Sequence, residues 1–194
     1  MSKVIVTSIL SVDGYTEGPG GNVMAMPMDH AFDEYNAERM RAAGSLLLGG
    51  TTYRGFVGFW PGMVDNPDAT PGSAEIAQRY ADGIPITVVS DSLTEADTDP
   101  WREQTSVVPR ADAHEAVARL REQDGGDALI FGSRTLWSDL LAHGLVDELH
   151  LMVGPALVAG DQPAFAGVPA TGLRLLGVRQ WDGSDNVLLS YAVG

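Results

Sequence analysis

Apolar and polar positions along the 194 residues fall into short runs that switch between a period of two and a period near 3.6. Val4-Ile5-Val6-Thr7-Ser8-Ile9-Leu10 is apolar and β-branched enough to predict a central first strand over residues 3–10. Asp29 to Ala43 puts Ala31, Phe32, Tyr35 and Met40 near one face, which predicts a helix with Asp29 as its N-cap and Gly44 beyond its end. Ser45 to Leu48 reads as a second buried strand, followed by the turn Gly49-Gly50-Thr51-Thr52-Tyr53. Residues 56–72, aromatic and then rich in Pro and Gly, read as a loop or insertion, and 73–82 as a short helix. A strand over 84–90 tolerates Pro85 at its start, where a missing N–H matters least. Thr105 to Val108 predicts a brief strand, and 113–123 an amphipathic helix using Ala116, Val117 and Leu120.

The most organised stretch is Asp127 to Val153. The apolar run 128–131 predicts a buried strand, and Leu136, Trp137, Leu140 and Leu141 predict a helix closed by His143-Gly144. Alternation over 145–153 predicts another strand. After a Gly/Pro-rich loop over 154–172, two runs (173–179 and 186–193) flank Asp182-Gly183-Ser184-Asp185 as a terminal hairpin. Strands alternating with helices, then a hairpin, predict one α/β domain over 1–194, its sheet largely parallel with an antiparallel edge.

Charge narrows the partners. A net charge of −14, with Lys3 the single lysine, opposes binding to nucleic acid or anionic membranes. A small-molecule substrate is the partner that remains. No cysteine is present, which removes thiolate catalysis, disulfides and Cys-based zinc sites. The start of the chain lacks a small-residue cleavage site, and no apolar run is long enough to span a bilayer, so a cytoplasmic protein is expected.

The candidate chemistry lies where strands end. Gly132-Ser133-Arg134-Thr135 joins a strand to a helix, and backbone N–H groups at a helix start have no internal partner. The turn is either an anion site or an ordinary one with Ser133 as N-cap. Gly49-Gly50-Thr51-Thr52 repeats the pattern, and two such turns suit a ligand with separated phosphates. Asp13, at the end of the first strand, is a candidate substrate contact or an Asp-Gly turn. The glycine-rich segment 18–28, with adaptable methionines, suits a flap. His30, His114, His143 and His150 are scattered without metal-ligand spacing, so no metal is expected. Trp60 and Trp137 are candidates for pocket lining or core.

These residues resemble a known family. Ser11-x-Asp13-Gly14, then Leu46-Leu47-Leu48-Gly49-x-x-Thr52-Tyr53, Val88-Val89-Ser90 and Ile130-Phe131-Gly132-Ser133-x-Thr135-Leu136 are similar to the dihydrofolate reductase-like superfamily. Gly144 to Leu149, Pro155 and the 160–165 loop look most like the C-terminal reductase domain of the bacterial riboflavin biosynthesis protein. The resemblance implies a three-layer sandwich around a mixed sheet, and an NADPH-dependent reductase (NADH being possible) acting on a small heterocyclic or carbonyl substrate. The family's activities would be reduction of the riboflavin-pathway aminouracil or of dihydrofolate. By position, Gly132, Ser133, Arg134 and Thr135 would meet the pyrophosphate, and Gly49, Gly50, Thr51 and Thr52 the adenosine half. Ser90 and Asp91 would flank the adenosine 2′ position, and Ser11, Asp13 and Gly14 the nicotinamide. Asp33 falls where dihydrofolate reductases carry a proton-donating carboxylate. Where many members have arginine after the glycine matched by Gly49, this chain has Gly50, leaving Arg54 to grip the 2′ end. The alternative is a non-catalytic binding protein on the same fold. Family habit and the apolar run 186–193 also suggest a homodimer through the terminal hairpin.

Overall fold

The structure, a computed structural model, describes residues 2–194. Eight strands, β1 (Val4–Ser11), β2 (Ala43–Gly49), β3 (Ile86–Val89), β4 (Thr105–Val108), β5 (Asp127–Phe131), β6 (Glu148–Gly154), β7 (Leu173–Gln180) and β8 (Val187–Val193), form one sheet. Their order is β4-β3-β2-β5-β1-β6-β8-β7. The first six pair in parallel, and β8 pairs antiparallel with both β6 and β7. The helices are α1 (His30–Ala42), α2 (Gly50–Phe59), α3 (Pro71–Ala81), α4 (Ala113–Glu122) and α5 (Arg134–Ala142).

Side-chain alternation along the strands divides the core in two. Val4, Val6, Leu47, Ala128 and Ile130 point to one face, where Ala113 and Val117 of α4 and Leu136, Trp137, Leu140 and Leu141 of α5 cover them. Ile5, Leu46, Leu48, Leu129 and Phe131 point to the other, against α1, α3 and Tyr53 of α2. A sheet buried on both sides explains why its strands read as continuous apolar runs.

The region read as a loop over 56–72 is mostly helical. α2 continues to Phe59, and a 3₁₀ turn covers Trp60–Met63. The cause is an aromatic stripe: Tyr53 meets Trp101, Phe56 meets Tyr80, and Trp60 stacks on Tyr80. Gly58, which suggested a loop, faces open space. α3 also starts earlier than the periodicity suggested. Thr70 caps it, accepting from Ser73 N, and Pro71 occupies the first helical position.

The hairpin forms, but 186–193 is not its edge. β8 lies inside the sheet, and the outer strand is β7, with Leu173, Leu175, Leu176 and Val178 exposed.

A polar chain, buried at Tyr35 and His150 and exposed at Lys3, ties α1 to the sheet. Tyr35 Oη lies 2.6 Å from His150 Nδ1, His150 Nε2 lies 2.9 Å from Glu148 Oε2, and Lys3 Nζ lies 2.6 Å from Glu148 Oε1. With the ring neutral, Tyr35 donates to Nδ1 and Nε2–H donates to the carboxylate, so each group is satisfied. Among the described residues no helix is long and apolar enough to cross a membrane.

Candidate functional site

Sheet order brings the candidate residues to one edge. At the carboxyl ends of adjacent strands stand Ser90 (β3), Gly49 (β2), Gly132 (β5) and Ser11 (β1), in that spatial order. Four parallel strands at about 4.8 Å spacing make a row about 14 Å long. Carboxyl ends of parallel strands are where open α/β sheets offer their ligand crevice.

The two glycine turns are locked to each other. Gly49 N donates to Ser133 Oγ at 3.0 Å, and Ser133 N donates to Thr52 Oγ1 at 3.2 Å. Gly132 and Ser133 both have left-handed backbones, at φ 55° and 51°. Ser133 therefore sits at the N-cap position of α5 without capping it, because its hydroxyl is spent across the gap on β2. Each hydroxyl still keeps an O–H to donate. The starts of α2 and α5 thus lie side by side, each with free first-turn N–H groups and a partial positive charge.

At the β3 end of the row, Gly50 is small for a steric reason. A Cβ there would lie 2.6 Å from Ser90 Oγ and 2.9 Å from Ser90 Cβ. Ser90 cannot step aside easily, since its Oγ accepts from Ser92 N and Leu93 N. Arg54 reaches back to this corner, with Nη2 3.2 Å from Ser92 O and Nη1 3.8 Å from the space beside Gly50. Asp91 does not face the row with a bare charge. Its Oδ1 accepts from Arg110 N at 2.8 Å, and its Oδ2 lies 3.6 Å from Arg110 Nε. The corner therefore holds the Arg54 and Arg110 guanidiniums, with Asp91 paired to Arg110 and Asp97 within electrostatic reach of Arg54. Arg110 was not foreseen, because only the pairing of β3 with β4 brings it beside Asp91.

At the β1 end, Asp13 accepts from Val158 N at 3.2 Å and Ala159 N at 2.9 Å. The Ser11 side chain and these two N–H groups hold its carboxyl below the usual carboxylate range. It is a loop anchor, and as an ionised group a poor proton donor. More contacts stitch the 155–168 loop over this end. Val12 N bonds Ala156 O, Ala164 N bonds Gly14 O, and Gly20 N bonds Asp161 Oδ2. Arg134 leans the same way, its Nη2 2.8 Å from Gln162 Oε1. Thr135 is exposed at the mouth of the row, as is Thr51.

Family comparison places this fold. The family model described as the RibD C-terminal domain matches residues 2–188. The chain belongs to the RibD C-terminal domain family. Among solved structures, a Shewanella sp. PV-4 protein assigned to riboflavin biosynthesis aligns at TM-score 0.70 and 18% identity, covering 99% of each chain. The Thermotoga maritima diaminohydroxyphosphoribosylaminopyrimidine deaminase/5-amino-6-(5-phosphoribosylamino)uracil reductase aligns at TM-score 0.66 and 14% identity, over all of this chain and 57% of that one. A dihydrofolate reductase from Enterococcus faecalis, complexed with NADP(H), aligns at TM-score 0.56 and 13% identity, covering 99% and 96%. No curated protein sequence matches. At these identities the likenesses show a shared, dihydrofolate reductase-like fold.

In this RibD C-terminal domain, Asp33 is not joined to the glycine row by any contact. Its Oδ2 accepts from Thr70 Oγ1 at 2.7 Å and Ser73 Oγ at 3.2 Å, tying α1 to the start of α3. It lines a groove of about 290 Å³ with His30, Glu34, Thr70 and Glu75. Trp137 is wholly buried in the core, while Trp60 is only partly buried against the aromatic stripe.

Proposed function

We propose that this protein is an NADPH-dependent reductase that transfers a hydride to a small heterocyclic or carbonyl compound, with residues 1–194 forming a single reductase domain. The observation that carries this reading is the reciprocal lock between Gly49–Thr52 and Gly132–Ser133. It holds two helix starts together, where a pyrophosphate would be met by backbone N–H groups and by the Ser133 and Thr52 hydroxyls. The residues fit such a group: Gly132 is exposed in a left-handed conformation that lets backbone approach a ligand closely. In this reading Ser90, Arg54 and Arg110 would meet the adenosine 2′ end, and Ser11 with the 155–168 loop the nicotinamide end, an order supported by the sequence of strands in the sheet. Bound nicotinamide would supply the hydride. The chain's own residues would align the two reactants, and the stitched loop would keep water out.

Asp13 and Asp33 take positioning roles in this reading, the first fixing the loop and the second fixing α3. Substrates like those named for the Thermotoga and Enterococcus relatives, an aminouracil or a dihydropteridine, set the chemical class to test. The alternative of a non-catalytic binder loses ground because Arg54 reaches back to the Gly50 corner.

Titration with NADPH and NADH, followed by quenching of tryptophan fluorescence, tests the cofactor. NADPH is expected to bind at least about tenfold more tightly, one charge-assisted contact being worth roughly 1.5–3 kcal/mol. Arg54→Gln should remove most of that preference and leave NADH binding unchanged. If neither nucleotide binds at millimolar concentration, the reductase reading fails.

A homodimer is proposed through β7 rather than β8. An edge strand with four exposed apolar side chains is an open template for pairing. Light scattering is expected to give twice the chain mass, and Leu175→Lys with Val178→Lys to give the monomer. A monomeric parent protein would end this proposal.

A further inference from the structure

Away from the glycine row, three side chains from two helices converge on the face covered by α4 and α5. His114 stands in the first turn of α4, and Asp139 and His143 lie one turn apart at the end of α5. His114 Nε2 lies 2.6 Å from Asp139 Oδ2, and His143 Nδ1 lies 3.5 Å from Asp139 Oδ1. The imidazole centroids are 4.1 Å apart at 39°. One ligand atom from each residue lies within 4.8 Å of the other two. We propose that His114, Asp139 and His143 bind one divalent cation of the zinc class, clamping the start of α4 to the end of α5.

The donor set argues for the cation. Two imidazoles and a carboxylate suit zinc, nickel or copper, whereas magnesium and calcium prefer all-oxygen shells. Zinc bonds of about 2.1 Å put neighbouring tetrahedral ligand atoms ~3.4 Å apart, so only small side-chain adjustments are needed. All three side chains are free to make them, being 44%, 49% and 53% exposed. That exposure also leaves the remaining coordination positions to water. His143 is already held over the end of α5, where its Nδ1–H donates to the Asp139 carbonyl oxygen at 2.8 Å and leaves Nε2 as its ligand atom. The end of α5 carries partial negative charge, which offsets the partial positive charge at the start of α4, and the whole chain carries −14, so the overall field favours a cation here. The site does not depend on the reductase reading.

The test uses tag-free protein dialysed against chelator, titrated calorimetrically with zinc chloride, nickel chloride and magnesium chloride. Saturable binding of a single zinc ion per chain in the micromolar range is expected, with no response to magnesium. His114→Gln and His143→Gln should each weaken zinc binding at least about tenfold. His30→Gln should not change it. The unfolding temperature should rise with zinc in the parent protein and stay constant in the two site variants, whose metal-free unfolding should match the parent because both positions are half exposed. Absence of saturable zinc binding at millimolar concentration would overturn the proposal. So would undiminished binding in both folded variants, which would mark adventitious capture by the acidic surface.

Discussion

Gly132→Val is expected to weaken NADPH binding by at least about a hundredfold. Gly132 and Ser133 are successive left-handed residues. A β-branched side chain in that conformation costs roughly 1–2 kcal/mol or more. Space is not the obstacle, since a Cβ at 132 would meet Thr52 Cγ2 at an ordinary 3.5 Å. Strain would therefore be relieved by turning the backbone. That movement would pull Ser133 Oγ from Gly49 N and Ser133 N from Thr52 Oγ1, parting the two helix starts. Loss of about 2.7 kcal/mol of binding corresponds to the hundredfold change. The same fluorescence titration reads it, with Gly132→Ala as a milder control. Unchanged affinity in a folded Gly132→Val protein would show that these turns do not hold the phosphates.

Acidification below neutral pH is expected to destabilise the protein in two successive windows, and His150 should govern the first. Burial pushes the His150 imidazole below its ordinary 6.5, against the opposing pull of the Glu148 carboxylate. A group whose folded-state pKa is depressed binds protons more readily when unfolded. Its contribution is therefore complete above about pH 6.5 and is lost as pH falls towards the depressed folded value. For Glu148, burial alone would raise the carboxyl, but the hydrogen bonds of Lys3 and His150 prevail and hold it below 4.5. The second loss thus begins below that pH. Denaturant unfolding at intervals from pH 8 to pH 3 reads the first window whole and the start of the second. His150→Leu is expected to cost about 1–3 kcal/mol at pH 8, because Tyr35 and Glu148 each lose a buried partner. It should also abolish the first window. A variant that keeps the full slope between pH 6.5 and 5 would assign that slope to another group.

Much of the fold was legible in the chain. Short apolar runs located every strand to within a few residues, since a sheet covered on both faces needs apolar side chains on both. Asp29 marked the start of α1, and its side chain does accept from Ala31 N and Phe32 N. Gly144 marked the end of α5 with φ 68°. The glycine turns were visible because a strand, a left-handed turn and a helix leave that signature. α2 was partly hidden, because its inward stripe (Tyr53, Phe56, Trp60) is interleaved with glycines that local propensity reads as loop.

Sequence by itself determined the strands, the turns and every helix except the later part of α2, because their patterning is local. It also determined the acidity that shapes every encounter of this protein with charged ligands. Only the tertiary structure decided which of those groups act together. Arg110 answers Asp91 through the pairing of β3 with β4, and Ser133 abandons its capping role because β2 and β5 are neighbours. Asp13 and Asp33 are both occupied, one by a loop 145 residues later and the other by α3. His114 meets Asp139 and His143 because α4 and α5 cover the same face of the sheet. Such contacts depend on how elements are arranged in space, and spacing along a chain carries no record of that.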